Sequence, residues 1–210
     1  MTTQPGYDAL AELYDATFPA GSLSPPERAA MELFADALRS LGSERPVIDV
    51  GCGTGHQTHD LASQGFRVIG VDPSGAMLER ARRRYPELHL VQGDAGLSTV
   101  PDPVFSGVLA RYSLIHVPPE QLGGVLALWA ARVQSGGVVM TAFQSLDAGL
   151  HTDVDEFDHA VAPAWRWRPD AMAEALAGAG LVERWRLVTR PGDGFHRFPE
   201  CHLLSARPPE

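Results

Sequence analysis

Hydrophobic positions recur at helical spacing along the first forty residues and give way to short apolar runs from Val47 onward. In SPPERAAMELFADAL (24–38) and the residues just after it, apolar side chains fall at 30, 31, 34, 37, 38 and 41. They follow Ser24 as N-cap, Pro25 at the first helical position and Glu27 as the returning acid of a capping box, which predicts a helix. YDALAELYDATF (7–18) predicts a shorter helix before it. The runs VIDV (47–50), RVIGVD (67–72), HLVQ (89–92), FSGVLA (105–110) and GVVMTAF (137–143) then alternate with segments of helical period. The clearest of these follows Pro118 and puts Leu122, Val125, Leu126, Trp129 and Val133 on one face. Nearly continuous apolar strands separated by helices imply a mostly parallel sheet covered on both sides, an α/β doubly wound fold.

The alternation changes at the end. RPDAMAEALAGAG (168–180) predicts a helix with Pro169 at its start and Gly180 as its stop, followed by the alternating VERWRLVTR (182–190) and the apolar CHLLSA (201–206). Two strands with no helix between them are most simply antiparallel neighbours, so the sheet is expected to close with a hairpin at one edge. No repeat or long linker divides the chain, and residues 1–210 read as a single domain with a helical N-terminal segment (1–42) and an insert (146–167).

Charge narrows the possible partners. The net charge is −9 and all 17 basic residues are arginine; the densest run, Arg80, Arg82, Arg83 and Arg84, reads as the solvent face of a helix. An acidic chain is repelled by phosphate backbones, which argues against a nucleic-acid partner. Cys52 and Cys201 are too few for a disulfide framework. Neither a signal peptide nor a membrane-spanning run is visible, so the expected location is the cytoplasm, with no membrane partner.

The candidate chemistry begins at PVIDVGCGTGHQT (46–58), where a strand breaks into Gly51, Gly53 and Gly55 and leads into a helix. Such a turn lets backbone approach a ligand and offers unpaired N–H groups at the positive end of the helix. His56 stands where the dinucleotide fingerprint requires its third glycine, which argues against a nicotinamide-dependent oxidoreductase. Asp49 precedes the glycines, Asp72 ends the strand of VIGVDPSGAML, and Asp94 ends the next in VQGDA.

With these motifs in order, the chain resembles the class I S-adenosylmethionine-dependent methyltransferases of small-molecule type. The resemblance implies a Rossmann-like, mostly parallel seven-stranded sheet whose last, antiparallel strand is inserted beside the sixth. It implies S-adenosylmethionine as cofactor, S-adenosylhomocysteine as product, and a small-molecule acceptor. Gly51, Gly53 and Gly55 would shape the methionine-side turn, Asp72 would make the ribose contact, and Asp94 with Ala95 would receive the adenine edge; Asp49, Cys52, Pro73 and Met77 would line the cofactor as well. Tyr14, or Tyr7, would donate to the methionine carboxylate or line the acceptor pocket from an N-terminal lid. Arg111 would touch the cofactor through its backbone, and its buried side chain would imply an anionic acceptor.

On the acceptor side, His116 is the candidate general base, because its ordinary pKa lies near neutrality. The insert carries His151, Asp153, Asp155, Glu156, Asp158 and His159, at spacings that match no metal motif, so no metal is expected and a solvated acidic lid is. Trp165 and Trp167 would wall the pocket or anchor the lid. No motif of nucleobase-amine or cytosine-C5 methylation follows the fourth strand or a proline. The alternative is a protein that binds the cofactor as a sensor or scaffold without turnover.

Overall fold

A computed structural model describes residues 5–18, 23–101, 104–147, 149–191 and 197–209. Five strands follow one another as predicted: β1 (Val47–Val50), β2 (Val68–Asp72), β3 (His89–Gln92), β4 (Phe105–Arg111) and β5 (Val133–Gln144). After the insert come β8 (Val182–Thr189) and β9 (Glu200–Ala206), and the insert itself holds two short strands, β6 (Val154–Phe157) and β7 (Ala164–Trp167). The main sheet has seven strands in the order β3-β2-β1-β4-β5-β9-β8. β1 to β5 pair in parallel, while β9 runs antiparallel to both β5 and β8.

The terminal hairpin is present, but its outer strand is the first of the pair. CHLLSA lies inside the sheet because every residue of β9 is buried, whereas β8 leaves Val182 and Val188 exposed and can tolerate an edge. The Gly136-Gly137 pair does not open β5 but lies within it, and there is close packing at Gly137, where a Cβ would press on Val133 and on the Ser106 carbonyl.

Helices cover both faces. On one side α2 (Pro25–Leu41) packs Phe34 and Leu38 against Leu109, Met140 and Leu204. On the other, α5 (Pro119–Arg132) brings Leu122, Leu126 and Trp129, and α6 (Pro169–Gly178) brings Met172 and Leu176, onto Val108, Val139 and Phe143. The start of α2 is as the sequence implies: Ser24 Oγ accepts from the Glu27 amide and Glu27 Oε2 accepts from the Ser24 amide at 2.8 Å. Gly42 closes the helix in the left-handed region at φ 55°.

The remaining helices are α1 (Pro5–Thr17), α3 (His56–Ser63) and α4 (Gly75–Arg84). α3 and α4 follow β1 and β2, so their N-termini point to the carboxyl ends of the strands. The two helices of the N-terminal segment separate: α2 is a covering helix of the sheet, and α1 lies against α4. Among the described residues, no helix is long and apolar enough to cross a membrane.

Phe34 is fully buried on the apolar stripe of α2. Phe34→Ala is expected to lower unfolding stability by about 3–5 kcal/mol, read as a shifted urea midpoint with an unchanged m-value; a loss below about 1 kcal/mol contradicts this packing.

Candidate cofactor and acceptor site

The turn after β1 is built on three left-handed glycines, Gly51 at φ 72°, Gly53 at 54° and Gly55 at 81°. The amides of Gly51 and Cys52 both donate to the Val71 carbonyl, at 2.7 and 3.1 Å, which draws the turn across the end of β2. A Cβ on Gly51 would collide with Ser113, whereas the one on Gly53 would meet nothing within 4 Å. The backbone at Gly53 is thus bare on the side where a side chain would stand.

Two buried acids brace this turn. Asp49 Oδ2 accepts from the Thr58 hydroxyl at 2.6 Å. Asp72 takes the Gly53 amide on Oδ2 and the Ser74 amide on Oδ1, both at 2.8 Å. Burial pushes both carboxyls up to about 6, against the pull of those hydrogen bonds. Burial, with Asp72 and Asp49 nearby, holds the Cys52 thiol well above its ordinary range, so it stays protonated. The Pro73 carbonyl accepts from Gln92, and Met77 is buried one turn into α4, its amide donating to Ser74 Oγ.

The third acid is more open. Asp94 Oδ1 accepts from the Gly96 amide at 2.9 Å, and the Ala95 carbonyl accepts from Trp129 Nε1 at 2.7 Å, so this loop is tied to α5. The structure therefore brings Asp49, the glycines, Cys52, Asp72, Pro73, Met77, Asp94 and Ala95 to the carboxyl ends of β1, β2 and β3.

α1 lies over these ends. Both Tyr7 and Tyr14 sit within the field of Asp72, and their rings meet edge to face at 6.1 Å. The Tyr7 hydroxyl lies 3.0 Å from His116 Nε2. His116 Nδ1 lies 3.0 Å from the Pro163 carbonyl, which can only accept, so the ring proton is on Nδ1 and Nε2 accepts from Tyr7. Burial pushes His116 down to about 4, leaving it neutral near pH 7. The ring of His159, from the loop between β6 and β7, stands 4.9 Å from His116.

Arg111 is directed elsewhere than its residue type suggested. Its guanidinium pairs with Glu27, the capping acid of α2, and its charge is thereby matched from within the fold rather than left for an anionic acceptor. Against burial, which pushes it up, Arg111 and Ser24 hold the Glu27 carboxyl below its ordinary range. Beside them His202 is fully buried, with no hydrogen-bond partner on either ring nitrogen, and is pushed down to about 4 by burial and by Arg111.

The acids of the insert, Asp153, Asp155, Glu156 and Asp158, are exposed, and the segment that carries them is a β ribbon held by ion pairs. Asp155 accepts from Arg166 at 3.0 Å across the β6-β7 ribbon, and Asp153 pairs with Arg168. Trp167 is buried in the core and Trp165 packs against it, so both anchor the ribbon. Of the arginine run, Arg82, Arg83 and Arg84 are exposed as expected, and Arg80 and Arg84 also reach acids of α1. Among the described residues, no three His, Cys, Asp or Glu side chains group as a metal site. Two residues of the site carried no motif: Asp8, which accepts from Ser74 Oγ at 2.6 Å, and Glu27, visible only as a cap.

A family model described as a methyltransferase domain matches residues 47–137. The chain is 46% identical over 193 residues to the trans-aconitate 2-methyltransferase of Paracidovorax citrulli, covering 85% of this chain and 70% of that one. It is 35% identical over 206 residues to the dTDP-3-amino-3,6-dideoxy-alpha-D-glucopyranose N,N-dimethyltransferase of Streptomyces fradiae, covering 95% and 71%. The match to the demethylmenaquinone methyltransferase of Beutenbergia cavernae, 35% identical over 117 residues, is shorter: the chain spans about half of that relative's length, 48%. In fold it is similar to the magnesium protoporphyrin IX methyltransferase of Synechocystis, solved with bound S-adenosylhomocysteine, with TM-score 0.73, 16% identity and 97% of each chain covered.

The raised acid has a stability consequence. The folded pKa of Asp72 is about 6, against 3.8 for the ordinary carboxyl. The folded state therefore holds this proton more tightly, and that stability is full below about pH 4 and lost as pH rises through about 6. Asp72→Asn removes the loss, so the variant is expected to gain on the wild type by up to about 3 kcal/mol between pH 4 and pH 7, measured by urea unfolding without ligand. A difference that does not change with pH contradicts the assignment.

Proposed function

The chain belongs to the S-adenosylmethionine-dependent methyltransferases, and we propose that it transfers the methyl group to a polar small-molecule acceptor bound between α1, the end of β4 and the β6-β7 insert. The observation that carries the reading is the pair of buried carboxylates beside bare glycine backbone. Asp72 uses one lone pair of each oxygen on the Gly53 and Ser74 amides and keeps others for two ribose hydroxyls. Gly53 gives the ligand-side clearance that a methionine moiety needs. Asp49 and Asp72 lie where no basic side chain neutralises them by direct contact, which suits a sulfonium cation.

Bound S-adenosylmethionine supplies an activated methyl on its own leaving group, so the chain's residues chiefly align the acceptor and exclude water. Gly51, Cys52, Gly53 and Gly55 hold the methionine side, Pro73 and Met77 flank the ribose, and Asp94 with Ala95 faces the adenine. Tyr14 and the Arg111 backbone close the cofactor's inner side. His116 faces the acceptor: its tautomer is fixed by Pro163, its one lone pair is at Nε2, and Tyr7 donates to it. Neutral near pH 7, it holds the acceptor's proton at Nε2, with the Tyr7 hydroxyl as the group that yields. The relatives from Paracidovorax citrulli and Streptomyces fradiae are named for trans-aconitate and a dTDP-amino sugar, which supports a polar acceptor of that size.

Titration calorimetry with S-adenosylmethionine and with S-adenosylhomocysteine is expected to give micromolar binding of both, and Asp72→Ala is expected to weaken it at least about tenfold. No binding by folded wild-type protein sinks the reading, and binding without demethylated product from any acceptor screened turns it into a cofactor sensor. Once an acceptor is found, His116→Ala is expected to lower kcat by about tenfold or more with the cofactor Kd unchanged; an unchanged kcat removes His116 from the chemistry.

A further inference from the structure

α1 carries two stripes seven residues apart. Tyr7 and Tyr14 face Asp72 and the end of β4, while Asp8 and Asp15 face α4. On its body-facing side the helix buries Ala11 and half-buries Tyr7, Leu10 and Tyr14, while Leu13 is exposed. Directional polar contacts add to this packing and fix where the helix sits. Asp8 Oδ1 accepts from the Ser74 hydroxyl at 2.6 Å and from the Ala76 amide at 3.1 Å, at the start of α4. Asp15 accepts both Arg84 Nη atoms, at 2.6 and 2.9 Å, with Arg80 at 3.7 Å. The Asp15 side chain is 13% exposed and that of Arg84 40%, so the carboxylate is covered while the arginine reaches it from the surface as a two-point fork.

His56 completes the arrangement. Arg84 can only donate, so the contact of its Nη1 with His56 Nε2 at 3.1 Å makes that nitrogen the acceptor and puts the ring proton on Nδ1, which donates to the Tyr85 hydroxyl at 2.9 Å. One arginine thus joins α1 to the first residue of the helix that follows the glycine turn. The side chain that stands in place of a third fingerprint glycine has a definite task here: it holds Arg84 Nη1 beside Asp15, whose Oδ1 lies 3.8 Å from His56 Nε2.

We propose that Asp15, acting through Arg84 and His56, is a positioning residue that docks α1 over the glycine turn and so presents Tyr7 and Tyr14 to the bound cofactor. The proposal rests on the reading of the site given above. Asp15 touches neither cofactor nor acceptor; it acts by holding the helix that does. The helix is held at two ends, Tyr7 and Asp8 at one and Asp15 at the other, so release of Asp15 frees the end that carries Tyr14 while His116 and Ser74 still retain Tyr7 and Asp8.

The test is a double-mutant cycle on the full chain with Asp15→Asn, Arg84→Gln and the two combined. Amide hydrogen exchange over residues 5–18, read without ligand, is expected to lose about tenfold in protection in either single variant, with no further loss in the double. Exchange in the buried strands stays unchanged. With S-adenosylmethionine, both single variants are expected to release the cofactor about fivefold faster and to raise its KM with kcat nearly unchanged. Unchanged α1 exchange, additive losses, or a looser α1 with unchanged cofactor release each overturns the proposal. The exchange arm needs no cofactor, so failure of the wild type to bind S-adenosylmethionine sinks the functional reading separately.

Discussion

The Asp72 carboxylate is the constraint around which the site is organised. It ends β2, is buried, and binds the amides of two different turns, Gly53 after β1 and Ser74 after β2. Those turns set the N-termini of α3 and α4, so one side chain coordinates two helix starts and the bare backbone between them. The Ser74 it positions then caps α4 through the Met77 amide and donates to Asp8, which carries the same constraint outward to α1. The cost is a carboxyl in a desolvated place, visible in its raised pKa, and that cost is offset by hydrogen bonds that only this geometry supplies.

Body and covers are held by different forces. The sheet and α2, α5 and α6 are joined by apolar burial, which is non-directional and strong in sum. α1 and the β6-β7 ribbon meet over His116, where directional polar contacts fix them: Tyr7 to Nε2, Pro163 to Nδ1, and Gly6 so close to the Val161 carbonyl that no side chain fits. The ribbon adds Trp167 as an apolar anchor, and α1 adds Asp8 and Asp15. Such polar docking is specific in geometry and can open without disturbing the core, which suits parts of a site through which ligands must pass.

Arg111 and Arg84 show how far residue type can be read without a partner. Each looked free along the chain, one as a buried cation awaiting an anion and the other as part of a solvent face. Each is matched by a carboxylate more than sixty residues away, Glu27 and Asp15 respectively. Tyr7 and Tyr14 make the same point from the other side: both lie within the field of Asp72, but only the three-dimensional register of α1 decides that Tyr7 reaches His116.

The order of strands and helices, the capped start of α2, the glycine turn and the three acids at successive strand ends were legible in the sequence, because each depends on local spacing: period, capping and left-handed backbone are properties of neighbours in the chain. The short ribbon in the insert, the Glu27–Arg111 pair and the Asp15–Arg84–His56 clasp were not. They are pairings between distant residues, and a charge or a strand edge can be satisfied by many partners in a sequence. Only the packing of the chain selects one, because burial leaves a given donor a single acceptor within reach.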